Sequence, residues 1–269
     1  MTKRDGRLNG KSIVIVGGTS GLGLSAARAC AAAGARLILV GRNRDSAEAA
    51  KSELGDSVDL FVGDACDPVT AKQAIALAES RFGSLDALYH VAGGSGRRFG
   101  DGPLDATTDD GIVKTLQLNL QSVIYSNRAA VQAFLASNRT GTVLNMGSVL
   151  ATSPAPRHFA THIYAAAKAG IEGLTRGCAA YYAVRGIRFN VIAPALAETP
   201  MSQRASNDEA IQQYIRTKQP LDGGRIGQPQ DLDEAVVYLL SDASKYMTGQ
   251  VVTIDGGWSV SEGQIANES

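Results

Sequence analysis

The chain has 269 residues, of which 44% are hydrophobic, so it is long enough to bury a large core within one domain. Its 26 basic residues balance its 26 acidic residues, which excludes the strongly basic composition typical of proteins that bind nucleic acid or anionic membranes. The polar N-terminal segment lacks the apolar core of a signal peptide, and no apolar run is long enough to span a bilayer. We therefore expect a cytoplasmic protein with no nucleic-acid or membrane partner.

The cysteines and histidines give no pattern that is typical of a metal site. Cys30, Cys66 and Cys178 are odd in number and share no ligand spacing, so we expect them to stay reduced in the cytosol. Neither they nor the three His residues form a cluster with carboxylates. No metal is predicted.

The first predicted strand, 12–16, is a β-branched run that leads directly into the glycine-rich turn 17–23 and an Ala-rich helix. A strand, a glycine turn and a helix N-terminus form the setting in which backbone N–H groups bind a pyrophosphate. Gly17 is expected to permit the tight turn, Gly21 to let the backbone approach the phosphates, and Gly23 to let the helix pack closely. The spacing is GxxxGxG rather than the usual GxGxxG, but the βαβ setting favours a nucleotide site over a simple turn.

The second predicted strand, 36–40, ends just before the position where an acidic residue would bind the ribose 2′-hydroxyl of NAD. The chain has Gly41-Arg42-Asn43-Arg44 there instead. A carboxylate would repel a 2′-phosphate, whereas a guanidinium can bind it bidentately. The pattern favours NADP over NAD, although both arginines are also typical of solvated residues that open a helix.

Strands and helices continue to alternate along the rest of the chain. Further strands are predicted at 58–62, 85–91, 141–146, 187–192 and 250–254, and helices at 69–82, about 109–137, about 164–184 and 231–241, with a polar segment at 198–222. This order predicts an α/β fold, with a doubly wound, parallel, seven-stranded Rossmann-type sheet. We expect a single domain over 1–269, with a core at about 8–258 and a tail at 259–269.

Tyr164 and Lys168 are four residues apart and so share one face of their predicted helix. A tyrosine normally titrates near about 10, and a nearby positive charge favours its phenolate. Ser148 follows the fifth strand, and the carboxyl ends of parallel strands meet in one crevice. The pair is therefore predicted to be a general acid/base that faces a nucleotide, whereas in isolation it would equally fit a packed phenol and a solvated lysine.

Several motifs, in order from about residue 10 to 258, resemble the short-chain dehydrogenase/reductase family, including its 3-oxoacyl-carrier-protein reductases. They are GGTSGLG (17–23), Asp64-Ala65, Ala92-Gly93, Asn119, Ser148, Tyr164-x-x-x-Lys168, NVIAPALAET (190–199), and the stretches 225–242 and 246–257. The resemblance implies hydride transfer between NADP(H), or less favourably NAD(H), and a small-molecule alcohol or carbonyl substrate.

The resemblance also implies roles for individual residues. Tyr164 would be the acid/base, Lys168 would lower its pKa and hold the nicotinamide ribose, and Ser148 would bind the substrate oxygen. Asn119 would hold a water in a proton relay from Lys168. The implied cofactor-binding residues are Gly17, Thr19, Ser20, Gly21, Leu22, Gly23, Arg42, Asn43, Asp64, Ala65, Ala92, Gly93, Tyr164, Lys168, Pro194, Leu196 and Thr199.

Some positions depart from the family pattern. Val16 replaces a Thr, Ala195 replaces a Gly, and His90-Val91 replace two asparagines that brace the fourth strand. His90 is expected to be structural rather than catalytic. The loop 153–162 is longer than usual, and its Arg157, His158 and His162, together with Arg97 and Arg98, form either a rim for an anionic substrate or an ordinary solvated surface.

Two alternatives remain at this point: an NAD-dependent alcohol dehydrogenase, and a regulatory protein that binds a nucleotide without turnover. The presence of all four implied catalytic residues disfavours the second. Members of the family often form tetramers, so the resemblance also implies a homo-oligomer, a tetramer or a dimer. The substrate itself cannot be read from the fold.

Overall fold

The structure, a computed structural model, describes residues 6–263. Within them, seven strands form one parallel sheet: β1 Ser12–Val16, β2 Arg36–Gly41, β3 Val58–Val62, β4 Ala87–His90, β5 Gly141–Met146, β6 Ile187–Pro194 and β7 Val251–Ile254. The described helices are α1 Gly21–Ala32, α2 Arg44–Leu54, α3 Thr70–Phe82, α4 Asp109–Leu116, α5 Ser122–Ala136, α6 His162–Tyr182, α7 Gln203–Ser206, α8 Glu209–Lys218 and α9 Asp233–Leu240.

The strand order is β3-β2-β1-β4-β5-β6-β7, and every neighbouring pair is parallel. The chain adds strands outward from β1 to β3, then returns to place β4 on the other side of β1. Ligands of such sheets bind at this switch point, beyond the carboxyl ends of the strands. The predicted doubly wound, seven-stranded fold is confirmed.

β1 shows why its apolar run is buried on both sides. Successive side chains of a strand point to opposite faces of the sheet. Ile13 and Ile15 pack in the core that includes α1 and α9 residues, whereas Val14 and Val16 pack in the core that includes α3 and α5 residues. Both faces are covered by helices, which is the usual arrangement of a parallel sheet.

The predicted helix 109–137 is not continuous. It is divided into α4 and α5 by a turn of π-helix at Gln117–Gln121, in which Asn119 is fully buried. Such wide turns often occur at functional sites, and residue periodicity does not reveal them because the apolar pattern continues on both sides.

The polar segment 198–222 contains two helices, α7 and α8, that were not predicted from the sequence. The amphipathic α8 buries Ile211 and Ile215 against Trp258 in a small apolar cluster above the carboxyl ends of the strands. Polar and charged residues at most other positions of α8 hid this short apolar face.

The described part of the predicted tail, 259–263, is in contact with α8. Ser261 and Gly263 are hydrogen bonded to the end of α8, because Lys218 Nζ donates to the Ser261 carbonyl and Thr217 Oγ1 to the Gly263 carbonyl. The rest of the predicted tail, 264–269, lies outside the described residues. No described helix has both the length and the apolar character needed to cross a bilayer.

Candidate active site

Most of the predicted site residues line one cavity of about 390 Å³ at the carboxyl ends of the strands. The predicted residues that line it are Gly17, Thr19, Ser20, Gly21, Leu22, Gly23, Arg42, Asp64, Ala65, Ala92, Gly93, Ser148, Tyr164, Lys168, Pro194, Leu196 and Thr199. Two predicted residues, Asn43 and Asn119, do not line it. Among the described residues, no group of His, Cys, Asp and Glu is arranged to hold a metal ion.

The glycine turn between β1 and α1 depends on two close approaches. Gly17 has a φ of +89°, and a Cβ there would lie 2.6 Å from the backbone nitrogen of Ala92. A Cβ at Gly23 would lie 2.0 Å from the carbonyl oxygen of Gly17. The turn therefore brings β1, α1 and the end of β4 together in a way that no larger residue permits.

The N-terminus of α1 has no side-chain cap. Ser20 is the N-cap residue, but its side chain accepts no hydrogen bond from the helix, and the first turn carries no acidic residue. The backbone N–H groups of this turn are thus free to bind an anion, and the helix dipole favours negative charge there. The residues present fit a dinucleotide pyrophosphate.

Arg42 and Asp64, which follow β2 and β3, also line the cavity. Arg42 Nη1 lies 3.8 Å from Asp64 Oδ2, and both side chains are largely exposed. An exposed ion pair at this distance contributes little stability, so the guanidinium is not committed to Asp64. Asn43 instead accepts a hydrogen bond from the Ser46 N–H at 2.8 Å, and so caps α2 rather than lining the cavity.

Tyr164 and Lys168 lie on one face of α6, as the spacing predicted. Lys168 is 3% exposed, and its Nζ donates to the Met146 carbonyl at 2.8 Å and lies 5.6 Å from the centroid of the Tyr164 ring. Ser148 follows β5, is 7% exposed, and accepts a hydrogen bond from the Leu150 N–H at 3.2 Å, with its hydroxyl near enough to Tyr164 to affect the pKa of the phenol. The three polar groups converge at one point of the cavity wall.

Burial shifts the pKa values of both Tyr164 and Lys168. It raises the pKa of the Tyr164 phenol, and the nearby Ser148 hydroxyl only partly opposes this. Burial also lowers the pKa of Lys168 to about 7. Burial therefore favours the neutral form of both side chains.

Asn119 lies behind the cavity rather than in it. Its Oδ1 accepts from the Gly94 N–H at 3.0 Å, and its Nδ2 donates to the carbonyls of Gly94 and Thr115 at 2.9 and 3.0 Å. Both polar atoms of the side chain are thus engaged with backbone groups. In this structure Asn119 fixes the loop after β4, next to Lys168.

His90 stands where the family pattern has an asparagine that braces the fourth strand, and its ring makes hydrogen bonds that brace this strand instead. Its ring nitrogens lie 2.7 Å from Ser126 Oγ and 3.0 Å from the Ala92 carbonyl oxygen, so Nε2 donates to Ala92 and Nδ1 accepts from Ser126. Burial and the charge of Lys168 lower the pKa of His90 to about 3. It is a neutral, structural histidine that links β4 to α5.

Asp101, which no pattern in the sequence singled out, supports the site through the backbone of Tyr164. It is 4% exposed, and its two carboxylate oxygens accept from the N–H groups of Ile163 and Tyr164 at 3.1 and 2.9 Å. Thr161, the N-cap residue of α6, makes no side-chain cap, so Asp101 takes that function. Because more than 60 positions separate the partners, no local pattern could have revealed the contact.

Only one member of the predicted cationic rim lines the cavity. Arg97 does, whereas Arg98 stacks over the Phe99 ring and Arg157 and the two loop histidines lie elsewhere. The remaining wall at this end is formed by residues that the sequence did not single out: Leu118, Leu150, Phe159, Met201, Arg204 and Trp258.

Comparison with known proteins places this chain among dehydrogenases and reductases. A family model described as enoyl-(acyl carrier protein) reductase matches residues 16–259. Galactitol 2-dehydrogenase (L-tagatose-forming) of Cereibacter sphaeroides is 33% identical, over 94% of this chain and 97% of that protein.

Two solved structures extend the similarity. A short-chain type dehydrogenase/reductase from Mycobacterium ulcerans has a TM-score of 0.86 and 25% identity, over 94% of this chain and 91% of that one. A gluconate 5-dehydrogenase from Burkholderia cenocepacia, in complex with NADP and tartrate, has a TM-score of 0.85 and 31% identity, over 95% of this chain and 98% of that one.

Proposed function

Because the chain belongs to the short-chain dehydrogenase/reductase family, whose named members here are dehydrogenases of alcohols, we propose that it transfers hydride between NADP(H) and an alcohol or carbonyl substrate, with Tyr164 as general acid/base. Family membership makes it an oxidoreductase that acts on CH–OH groups, so the non-catalytic alternative is not retained. The observation that carries the proposal is the convergence of Tyr164, Ser148 and Lys168 on the cavity that the glycine turn also lines.

In the proposed reaction, the substrate oxygen accepts hydrogen bonds from the hydroxyls of Ser148 and Tyr164. For reduction, Tyr164 is already protonated, because burial raises its pKa, and it donates its proton to the oxygen as charge develops there. For oxidation, the phenol must release its proton first. The positive charge of Lys168, and that of an oxidised nicotinamide, would favour the phenolate at that stage.

Lys168 and Asn119 have supporting roles in the proposal. With a pKa of about 7, Lys168 can both hold and release a proton near neutral pH, as a relay requires. Its nearness to the Gly93 backbone supports contact with the nicotinamide ribose. The water-holding role of Asn119 stays a proposal, and its hydrogen bonds to Gly94 suit it to fix the loop around such a water.

The cofactor proposed is NADP, which when bound supplies or accepts the hydride. The glycine turn and the uncapped N-terminus of α1 fit the pyrophosphate. Arg42, at the end of β2 and only weakly paired with Asp64, is available for a 2′-phosphate. The alternative is NAD, since Asp64 places a carboxylate near the same end of the cavity.

Titration of the protein with NADPH and NADH tests the cofactor. We expect NADPH to bind about ten- to a hundredfold more tightly, and Arg42→Ala to remove most of that preference. Arg44→Ala is the matched control, because Arg44 lies two residues away, pairs with Glu48 and does not line the cavity. Tighter binding of NADH by the parent protein would overturn the NADP proposal.

A panel of alcohols and carbonyl compounds, assayed with both cofactors, tests the reaction. The parent should turn over at least one class, and Tyr164→Phe should lower kcat by about 10²-fold or more while still binding the cofactor. Cofactor binding without turnover of any compound would count against the proposed activity, as would a Tyr164→Phe variant that is fully active.

We also propose a cytoplasmic location and a homo-oligomer, a tetramer or a dimer. The three cysteines, none of which forms a disulfide, support the cytoplasmic location. The frequent formation of oligomers by members of the family supports the homo-oligomer. Fractionation of the expressing cells and light scattering of the purified protein would test these proposals.

A further inference from the structure

Two arginines line the substrate end of the cavity. Arg97 belongs to the 3-10 turn Gly96–Phe99 that follows β4, and Arg204 belongs to α7. Both border the same space as Tyr164 and Ser148. Within residues 6–263, neither guanidinium forms an ion pair with a carboxylate, and we call Arg97 and Arg204 the arginine pair.

The arginine pair is a region of unbalanced positive charge. Burial and the charge of Arg204 both lower the pKa of Arg97, so the two guanidinium groups are close enough to repel each other. The carboxylate of Asp101 opposes this, but its oxygens are already engaged by the N–H groups of Ile163 and Tyr164. Two like charges that face one cavity repel each other, and a ligand of opposite charge between them would offset this repulsion.

Arg97 is held in place and still has donors to spare. Its Nη2 donates to the His158 carbonyl at 3.0 Å, which ties the turn after β4 to the loop 153–162. A guanidinium has five N–H donors, and this hydrogen bond uses only one. Arg204 makes no hydrogen bond with any residue in the described part of the chain. The unused donors of both groups suit an oxyanion.

Large apolar side chains line the same cavity. Among them are Leu150, Phe159, Met201 and Trp258. A site with one charged corner and apolar walls orients a ligand by its charged group. The cofactor does not need this corner, because its pyrophosphate and 2′-phosphate are assigned to the N-terminus of α1 and to Arg42.

We propose that the arginine pair binds an oxyanion of the substrate, a carboxylate or a phosphate, and so selects anionic alcohols or ketones whose reacting carbon lies at Tyr164 and Ser148. This inference rests on the proposed function for the identity of the ligand as a substrate. The pair replaces the wider rim expected from the sequence, since Arg98, Arg157 and the loop histidines do not line the cavity.

Matched substrates test the selection. Sugar acids, alditols of the same chain length and sugar phosphates would be compared by kcat/KM in the parent, Arg97→Leu and Arg204→Leu. We expect the parent to prefer an anionic class, and each variant to lower kcat/KM for that class about ten- to a hundredfold more than for the neutral alditol. Preference for the acid or the phosphate ester identifies the oxyanion.

Two further variants separate charge from structure. Arg98→Leu alters the neighbouring guanidinium, which stacks on Phe99 outside the cavity, and should leave the preference unchanged. Arg97→Lys keeps the charge and should recover part of the loss. A parent that prefers alditols, or variants that slow all three classes equally, would overturn the arginine pair as a selective site.

A binding measurement keeps this test separate from the proposed reaction. Tartrate, a small dicarboxylate, and inorganic phosphate would be titrated calorimetrically into the parent and the Leu variants, with and without NADPH. Binding that both Arg97→Leu and Arg204→Leu weaken, but Arg98→Leu does not, supports the arginine pair even if no compound is turned over. If neither anion binds the parent, the inference fails even if alcohols are oxidised.

Discussion

The carboxylate of Asp101 accepts a hydrogen bond from the backbone N–H of Tyr164 at 2.9 Å, and a second from the preceding residue, Ile163. The residue proposed as general acid/base is thus attached through its own main chain to the loop that follows β4. That loop also carries Arg97. The position of the phenol therefore depends on the same segment that borders the substrate.

Replacing Asp101 should impair both stability and catalysis. Asp101→Ala leaves two buried N–H groups without acceptors and should lower the free energy of unfolding by about 1–2 kcal/mol. Because Tyr164 shifts with the helix start, kcat should fall about tenfold or more, whereas cofactor affinity should change little. Chemical denaturation and steady-state kinetics measure the two effects.

Asp105→Ala is the matched control, since Asp105 is an exposed carboxylate on the same loop. An Asp101→Ala variant with the parent kcat would show that the cap does not position the phenol.

Lys168 should make the protein less stable at low pH than at high pH. Its pKa is lowered to about 7 in the folded protein, so between about pH 7 and 10 the unfolded chain binds more protons than the folded one. The free energy of unfolding therefore rises with pH across that window, and below it the full cost of the buried charge is present. Lys168→Met should raise stability by about 1–3 kcal/mol at pH 6–7 and much less at pH 10.

Thermal melts across this pH range, without cofactor, measure the effect of Lys168→Met. A variant that is equally stabilised at pH 6 and pH 10 would contradict a buried lysine that titrates near neutrality.

Asp233 should show the opposite dependence on pH. Burial raises its pKa to about 6, against a hydrogen bond from Ser25 Oγ that lowers it, and its Oδ1 has no hydrogen-bond partner among residues 6–263. Between about pH 4 and 6 the folded protein binds more protons than the unfolded chain, so stability falls as pH rises through that window. Asp233→Asn should stabilise the protein by about 1 kcal/mol at pH 8 and have little effect at pH 4.

Urea denaturation at both pH values tests this expectation. Asp56→Asn, at an exposed carboxylate, provides the comparison. Equal stability of parent and Asp233→Asn at pH 8 would contradict it.

Gly17→Ala should prevent cofactor binding. A Cβ at this position would approach the Ala92 nitrogen to 2.6 Å, on a backbone whose φ of +89° disfavours any side chain. The turn must then open, at a cost of roughly 2 kcal/mol or more in stability, and the phosphate site changes shape. Gly173→Ala, where a Cβ meets nothing within 4 Å, should be neutral or slightly stabilising.

Cofactor titration and thermal melting of the two glycine variants separate these outcomes. Parent-like NADPH affinity in Gly17→Ala would show that the close approach to Ala92 is not needed for the site.

The sequence predicted those parts of the fold that depend on local pattern. The β-branched run of β1 is buried on both faces because its alternate residues enter two cores. The turn that follows requires glycine, because Gly17 has a positive φ and lies against the backbone of Ala92. Tyr164 and Lys168 share a helix face for the equally local reason of spacing.

What the sequence did not predict depends on contacts between distant segments. Asp101 caps a helix more than 60 positions away, and Arg204 enters the cavity only because α7 folds over it. The helix α8 was missed although Asp208 caps it and Ile211 and Ile215 share its inner face, since the polar and charged residues around them are also typical of a loop. The raised pKa of Tyr164 reflects a degree of burial that spacing cannot convey.

The end of the chain takes part in building the substrate wall. Trp258 lies in the cavity wall, donates from its indole nitrogen to the Ser153 carbonyl at 3.1 Å, and packs edge-on against Phe159 and Tyr214. Three segments that are far apart in the gene therefore share one surface. Replacing the loop 153–162 alone with that of a relative would disrupt its contacts with Trp258. A redesign of substrate specificity therefore has to replace the loop, α8 and residues 258–263 together.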